Sequence, residues 1–229
     1  RNKGPLFLVL NENCIMKKKA AASASFEESY LSFFGEHYRR PENVLEFIKY
    51  CGRSEADFYA KHNSIAHLEE QVWVSMADRL IERLSEDETY LAYSVREKTL
   101  AFFFGFFEEA LKNRTFVLYS AGDLKNPALL RFKRFKDTLT EYFEALAMAA
   151  MESKELSSRG NLTRWYAKGA LAQFLFLLNF WKNDSSQGFE ATDEAIERSV
   201  NLIFDLAGMN ALESGLGFAR FLFRHTAKA

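Results

Sequence analysis

The sequence predicts an all-α fold, an N-terminal three-helix helix-turn-helix head followed by a larger helical bundle. Apolar residues recur at helical spacing along the chain, and no two-residue alternation persists beyond a few positions. Only Pro5, Pro41 and Pro127 interrupt the 229 residues, which leaves long stretches free of helix breakers. Aromatics make up 15% of the chain and phenylalanine alone 23 positions, more bulky apolar surface than an ordinary core needs. That excess points to a cavity or an interface.

The first helix runs from Ser25 to about Tyr38, with Phe26, Tyr30, Phe33 and Phe34 on one face, and Arg39-Arg40-Pro41 breaks it. Asn43 caps a second helix with Val44, Phe47, Ile48 and Cys51 inward, and Gly52 closes it. Ser54 caps a third, very short helix ending by Asn63. Ser64 caps a long fourth helix through Leu68, Val72, Met76, Leu80 and Leu84. The tight turn between the second and third helices gives helix-turn-helix geometry. Beyond residue 86, Ser94 starts a helix holding AFFFGFFEEAL, and Asn126-Pro127 starts another that continues to about Ser153. After the Ser157–Gly160 segment, helices are expected over roughly 162–182 and 191–207, and in a tail from Asn210 to His225.

Composition excludes several classes. A formal net charge of −1 gives no global attraction to nucleic acid, so any such binding needs a local patch. Cys14 and Cys51 are too few for a disulfide framework or a zinc site, and Cys51 reads as a buried thiol. His37, His62, His67 and His225 show no metal-ligand spacing. Gly215-Leu216-Gly217 follows no strand, and no serine or cysteine sits in a nucleophile context. The expectation is therefore a non-enzyme with no cofactor and no metal. The apolar run Pro5–Leu10 is too short to span a membrane and precedes no cleavage site, which reads as a cytoplasmic protein. Met16 before Lys17-Lys18-Lys19 reads as a translation start, with residues 1–15 as an upstream extension.

Residues 26–68 resemble the DNA-binding region of the tetracycline-repressor (TetR) family of bacterial regulators. The match runs from FEESYLSFFGEH through NVLEFIKYCGRSEADFY to Ser64 and Leu68 without a gap. Val44, Gly52, Ser54, Phe58, Tyr59, Ser64 and Leu68 stand where that family shows the same or a close residue type. The resemblance implies a cytoplasmic homodimer binding palindromic double-stranded operator DNA, released or retuned by a small hydrophobic effector. It implies residues 1–25 as an extension or basic arm, 26–70 as the DNA-binding domain and 71–229 as the effector-binding and dimerisation domain.

The chain departs from the family pattern at Glu55, where a basic residue is usual, at Asp57, at the Lys61-His62 pair and at Ile65. From Arg39 to Lys61, five cations (Arg39, Arg40, Lys49, Arg53 and Lys61) face Glu42, Glu46, Glu55 and Asp57, a net of +1. Lys17, Lys18 and Lys19 add a cationic arm. Phe58 and His62 are four apart and share an inward face, which makes His62 a core histidine. Tyr59 and Lys61 point outward as phosphate contacts. Ser54, Glu55 and Asp57 are the base-reading candidates, since carboxylates accept from the amino group of cytosine. Equally, Glu55 and Asp57 favour a helix start through its dipole.

The helix from Leu162 is apolar all round, which predicts burial on every side, and the next helix carries two apolar faces. Two such helices suggest a four-helix interface between two chains. Phe103, Phe107, Tyr142, Phe143, Trp165, Tyr166 and Phe176, with Gln173 as a polar anchor, are the candidate walls of a ligand cavity; simple core packing is the alternative for each. Two functions follow: a ligand-responsive DNA-binding regulator, or a lipid- or hydrophobe-binding protein of the same fold that has lost DNA binding.

Overall fold

The computed structural model describes residues 24–123, 126–127, 132–156 and 162–208. These form ten α-helices: α1 (Phe26–His37), α2 (Val44–Cys51), α3 (Glu55–Tyr59), α4 (Ile65–Glu86), α5 (Glu88–Ala92), α6 (Val95–Lys112), α7 (Arg114–Ser120), α8 (Lys133–Glu152), α9 (Leu162–Asn183) and α10 (Glu190–Gly208). The all-α expectation holds; the only strands among the described residues are the two-residue Gly122–Asp123 and Asn126–Pro127. The chain divides into two compact units. One contains the chain up to Met76 with Lys112–Gly122 and Pro127–Phe135; the other contains Ala77–Leu111, Asp123–Asn126 and Lys136 onward.

In the first unit the helix boundaries follow from caps. Ser25 and Glu28 form a capping box, in which Ser25 Oγ accepts from the Glu28 amide and the Glu28 carboxylate accepts from the Ser25 amide. Asn43 accepts from the Glu46 amide at 2.9 Å. Gly52 closes α2 at φ 68°, a left-handed conformation that glycine adopts without a Cβ penalty. Ser64 Oγ accepts from the His67 amide at 3.0 Å and starts α4.

The core of this unit is aromatic. Phe26, Tyr30, Phe33, Phe34, Phe47 and Phe58 are all essentially inaccessible. Phe58 meets Phe26 edge-on at 5.6 Å between ring centroids and Phe47 at 6.2 Å. Phe116 of α7 packs edge-on against Tyr30 and Phe34. The buried Trp73 indole donates to Ser120 Oγ at 3.1 Å, and that hydroxyl donates to the Phe116 carbonyl at 2.7 Å.

In the second unit the phenylalanine run of α6 faces inward. Phe102, Phe103 and Phe106 are inaccessible, Phe102 and Phe103 pack on Phe143 of α8, and Phe106 meets Phe174 of α9 at 4.8 Å. Gly105 interrupts the run where helices approach closely, since a Cβ there would stand 2.6 Å from Leu80 Cδ1. Asp184 joins α9 to α10, accepting from the Ser186 amide and from both the amide and hydroxyl of Thr192. Helix α9 buries Phe174, Leu177, Leu178 and Trp181.

Two expectations need correction. The helix expected from Asn126-Pro127 starts only at Lys133; Asn126 precedes a proline, which disfavours the helical region, and both residues are extended. Helices α5 and α7 fall where no helix was expected. In the single chain α9 has an outward apolar face, with Phe176 52% and Phe180 37% exposed, and Leu202 of α10 is 58% exposed. The expected tail helix over 210–225 lies outside the described residues. No helix among the described residues is long and apolar enough to cross a membrane.

Removing Ser120 Oγ takes away the acceptor of the buried Trp73 N–H. Ser120→Ala is expected to lower stability by about 1–3 kcal/mol, the cost of an unsatisfied buried donor, read from the urea midpoint of unfolding.

Candidate nucleic-acid interface and apolar cavity

Helix α3 is five residues long and only Phe58 of it is buried. Its start is fixed by a second capping box: the Asp57 amide donates to Ser54 Oγ at 3.1 Å, and the Asp57 carboxylate accepts from the Ser54 amide and from Ser54 Oγ at 2.7 Å. Those bonds hold the Asp57 carboxyl below its ordinary range. Ser54 and Asp57 thus satisfy one another, while Glu55, Tyr59 and Lys61 are exposed. An open depression of about 470 Å³ beside this helix has Arg53, Ser54, Asp57 and Lys61 in its walls.

The cations of the head are mostly engaged. Arg39 makes a two-pronged contact with Glu46, at 2.5 and 3.1 Å, which pulls the Glu46 carboxyl down to about 2. Arg40 pairs with the nearly buried Glu69 at 3.0 Å, whose carboxylate also accepts from the Tyr30 hydroxyl. The Arg53 guanidinium donates to the Ala24 carbonyl and lies over the Phe26 ring, 4.5 Å from its centre. Lys49 and Lys61 are exposed and have no ion-pair partner among the described residues. Lys17 and Lys18 lie outside the described residues.

His62 is buried, as its spacing from Phe58 predicted. Its ring stands edge-on to Phe26 and tilted against Phe58, each at 5.6 Å, with the His67 ring at 5.5 Å. Neither ring nitrogen has a hydrogen-bond partner, and Glu27 Oε1 is 3.5 Å from Nε2, an ion-pair contact only if the ring is protonated. Burial lowers the His62 pKa; Glu27 opposes the shift, and His67 and Lys61 add to it. Cys51 is buried as expected, and burial pushes its thiol up to about 11. Among the described residues no cluster of histidine, cysteine and carboxylates has metal-binding geometry.

The second unit holds a cavity of about 40 Å³ between α6, α8, α9, α10 and Leu156. Of the candidate wall residues, Phe143, Tyr166 and Gln173 line it; Phe103, Phe107 and Tyr142 do not. Phe103 and Phe107 are core rings packed on Phe143 and on Phe174 and Trp181 respectively. Tyr142 pairs its hydroxyl with that of Tyr90 at 2.7 Å. Phe176 faces outward, half exposed, and the Trp165 side chain lies outside the described residues. Val200, Ile203 and Phe204 of α10 also line the cavity. They stand on one of the two apolar faces of that helix, and nothing in the sequence separates a cavity wall from core there.

A capped short helix displayed on an aromatic head, ahead of a helical unit with an apolar cavity, defines the class of helix-turn-helix regulators. Residues 98–222, more than half of the chain, match the tetracycline repressor-like C-terminal domain. The crystal structure of a protein assigned to the TetR-family transcriptional regulators, from Syntrophomonas wolfei str. Goettingen, superposes with a TM-score of 0.62 over 82% of this chain and 95% of that one. At 16% identity that likeness speaks for the fold alone. No curated protein matches the sequence. The chain belongs to the tetracycline-repressor-like family of regulators.

The sign of the pH effect follows from the depressed His62 pKa. The unfolded chain, titrating near 6.5, binds more protons than the folded one just below that pH. Stability from the neutral imidazole is full above about pH 6.5 and is lost as pH falls from there toward the lower folded value. The urea midpoint of the wild type is therefore expected to drop between about pH 7.5 and 5.5 by more than that of His62→Phe.

Proposed function

We propose that the protein is a homodimeric transcriptional regulator that binds palindromic operator DNA and is released or retuned by a small apolar effector. The observation that carries this reading is the display of α3: Ser54 caps it, Phe58 anchors it, and Glu55, Tyr59 and Lys61 are left facing solvent. In this reading Lys49, Tyr59 and Lys61 meet phosphates, and Glu55 accepts from a cytosine amino group. Ser54 and Asp57 hold the helix start. Arg39, Arg40 and Arg53 contribute by field from where Glu46, Glu69 and Ala24 fix them, and Lys17 and Lys18 act as a basic arm. Residues 26–70 are the DNA-binding part, and 71–229 carry the effector site and the dimer interface. The outward Phe176, Phe180 and Leu202 favour a dimer, since burying such side chains is worth roughly 1.5–3 kcal/mol each. The twin heads then address half-sites about 34–36 Å apart.

A second reading keeps the fold without the DNA. It is favoured by the engagement of Arg39 and Arg40 with carboxylates, which weakens the positive footprint of the head. Binding to the promoter region of the protein's own operon over a salt series separates the two. The regulator reading expects sequence-preferring binding that weakens steeply with salt. Lys61→Ala is expected to reduce the slope of log K against log salt by about 1, the share of one phosphate, with little change in preference. Glu55→Ala is expected to relax preference at one base pair by about 1–3 kcal/mol. Absence of binding even at low salt leaves the hydrophobe-binding reading.

A further inference from the structure

Among the described residues, the walls of the cavity in the second unit contain no charged side chain. Of the twelve described lining residues only Thr99, Tyr166 and Gln173 carry polar side chains. Two of these are already engaged. Thr99 Oγ1 donates to the Val95 carbonyl at 2.9 Å, and Gln173 Nε2 donates to Ser199 Oγ at 2.8 Å. The Tyr166 hydroxyl is buried and has no hydrogen-bond partner. Buried polar groups are overwhelmingly paired, so an orphan hydroxyl on a cavity-lining residue marks where a bound molecule supplies the missing partner.

Two charged residues adjacent in sequence to lining residues, Glu155 beside Leu156 and Arg96 beside Val95, are held by other partners. Glu155 accepts from the Val95 and Arg96 amides and from Ser153 Oγ, which keeps it ionised at the start of α6. Arg96 is held by Asn201 at 3.2 Å and Asp205 at 2.7 Å, with its guanidinium over the Phe204 ring. A carboxylate or ammonium group entering the cavity meets no counter-charge among its described lining residues, and an unpaired buried ion is far costlier than an unpaired neutral group.

We propose that this cavity selects an uncharged ligand: an apolar body carrying one neutral hydrogen-bonding oxygen, of alcohol, phenol or ketone type, that pairs with the Tyr166 hydroxyl. The proposal rests on the reading of the cavity as the effector site and adds the chemical class of the effector. At about 40 Å³ the cavity is well below the roughly 150 Å³ that accepts a benzene ring, so an occupant must part the walls. A ligand that binds only the parted form favours that form over the one seen here, which is the differential affinity that regulation requires.

The test uses the full chain and three probes with one body and different heads: 1-octanol, octanoate and octylammonium at neutral pH. Calorimetric titration and the thermal midpoint are the readouts, with Ala170→Leu, which fills the cavity from its wall, as the site control. The expected result is saturable binding and a raised midpoint with octanol alone. Ala170→Leu abolishes this, and Tyr166→Phe weakens octanol by roughly 2- to 13-fold, the share of one neutral hydrogen bond. Octanoate or octylammonium binding as tightly as octanol, and lost in Ala170→Leu, overturns the selectivity while leaving the effector site standing. Octanol binding unchanged in Tyr166→Phe overturns the role of the hydroxyl in the same way. Absence of binding by all three, or binding untouched by Ala170→Leu, overturns the proposal and the effector-site reading together.

Discussion

Phe58, inaccessible between Phe26 and Phe47, holds in place a helix that has no stability of its own. Helices shorter than about 12–15 residues are marginal in water, and α3 has five residues. Its N-cap at Ser54 contributes about 0.5–2 kcal/mol, while burying a phenylalanine ring contributes about 1.5–3 kcal/mol. The ring also fixes rotation about the helix axis. With Phe58 inward, His62 one turn later must follow it, and the amides of Lys61 and His62 turn back onto the Phe58 carbonyl. Glu55, Tyr59 and Lys61 are then outward by elimination. The display of those side chains is a consequence of core packing, and their chemistry is free to vary.

That freedom explains the charge pattern of the head. A surface dedicated to phosphates alone would leave its guanidiniums open, whereas here Arg39 and Arg40 are tied to Glu46 and Glu69. The Arg40–Glu69 pair differs in kind from an exposed ion pair. Glu69 is almost buried and also receives the Tyr30 hydroxyl, so losing Arg40 would leave a carboxylate poorly compensated beside the aromatic core. Burial and the neighbouring Glu69 charge together keep the Tyr30 hydroxyl protonated well beyond its ordinary range. Arg40 is therefore a structural cation first. Lys49 and Lys61 are the exposed cations of that stretch with no ion-pair partner among the described residues, which places the electrostatic part of any duplex binding on few groups.

Local chemistry was the legible part of the sequence. Ser25, Asn43, Ser54 and Ser64 act at helix starts by accepting from amides three residues on, and Gly52 ends α2 by its left-handed backbone, so their roles can be read from adjacent residues. The inward positions of Phe58 and His62 follow from spacing alone. Helix α7 was not legible, because ArgThrPheValLeuTyrSer has β-branched and aromatic residues and no capping bond from Asn113; Phe116 holds it by packing against Tyr30 and Phe34, far away in sequence. The cavity was partly legible. Phe143, Tyr166 and Gln173 were named for their types, but a ring that lines a void and a ring that fills a core look identical in sequence. Phe103 went to the core because Phe143 stacks on it, and Phe176 went outward because Phe174 and Leu177 take the inner face of α9. Which side of an all-apolar helix is inner depends on its neighbours.

Helix α9 joins these two features. Tyr166, Ala170 and Gln173 line the cavity, and one turn further on Phe176 and Phe180 form an outward apolar surface with their rings 6.3 Å apart. Between them the helix is unbroken, and its inner residues Phe174, Leu177 and Trp181 are locked against the core. A close-packed helix cannot absorb an added molecule by compressing side chains, since protein interiors already have the density of organic crystals. It must shift or rotate as a body. Val200, Ile203 and Phe204 of α10 form the opposite wall, and α10 is tied to α6 by Arg96 through Asn201 and Asp205. In the dimer reading, an occupant acts on the subunit contact through displacement of this one rigid helix, and the small size of the empty cavity is what makes that displacement obligatory.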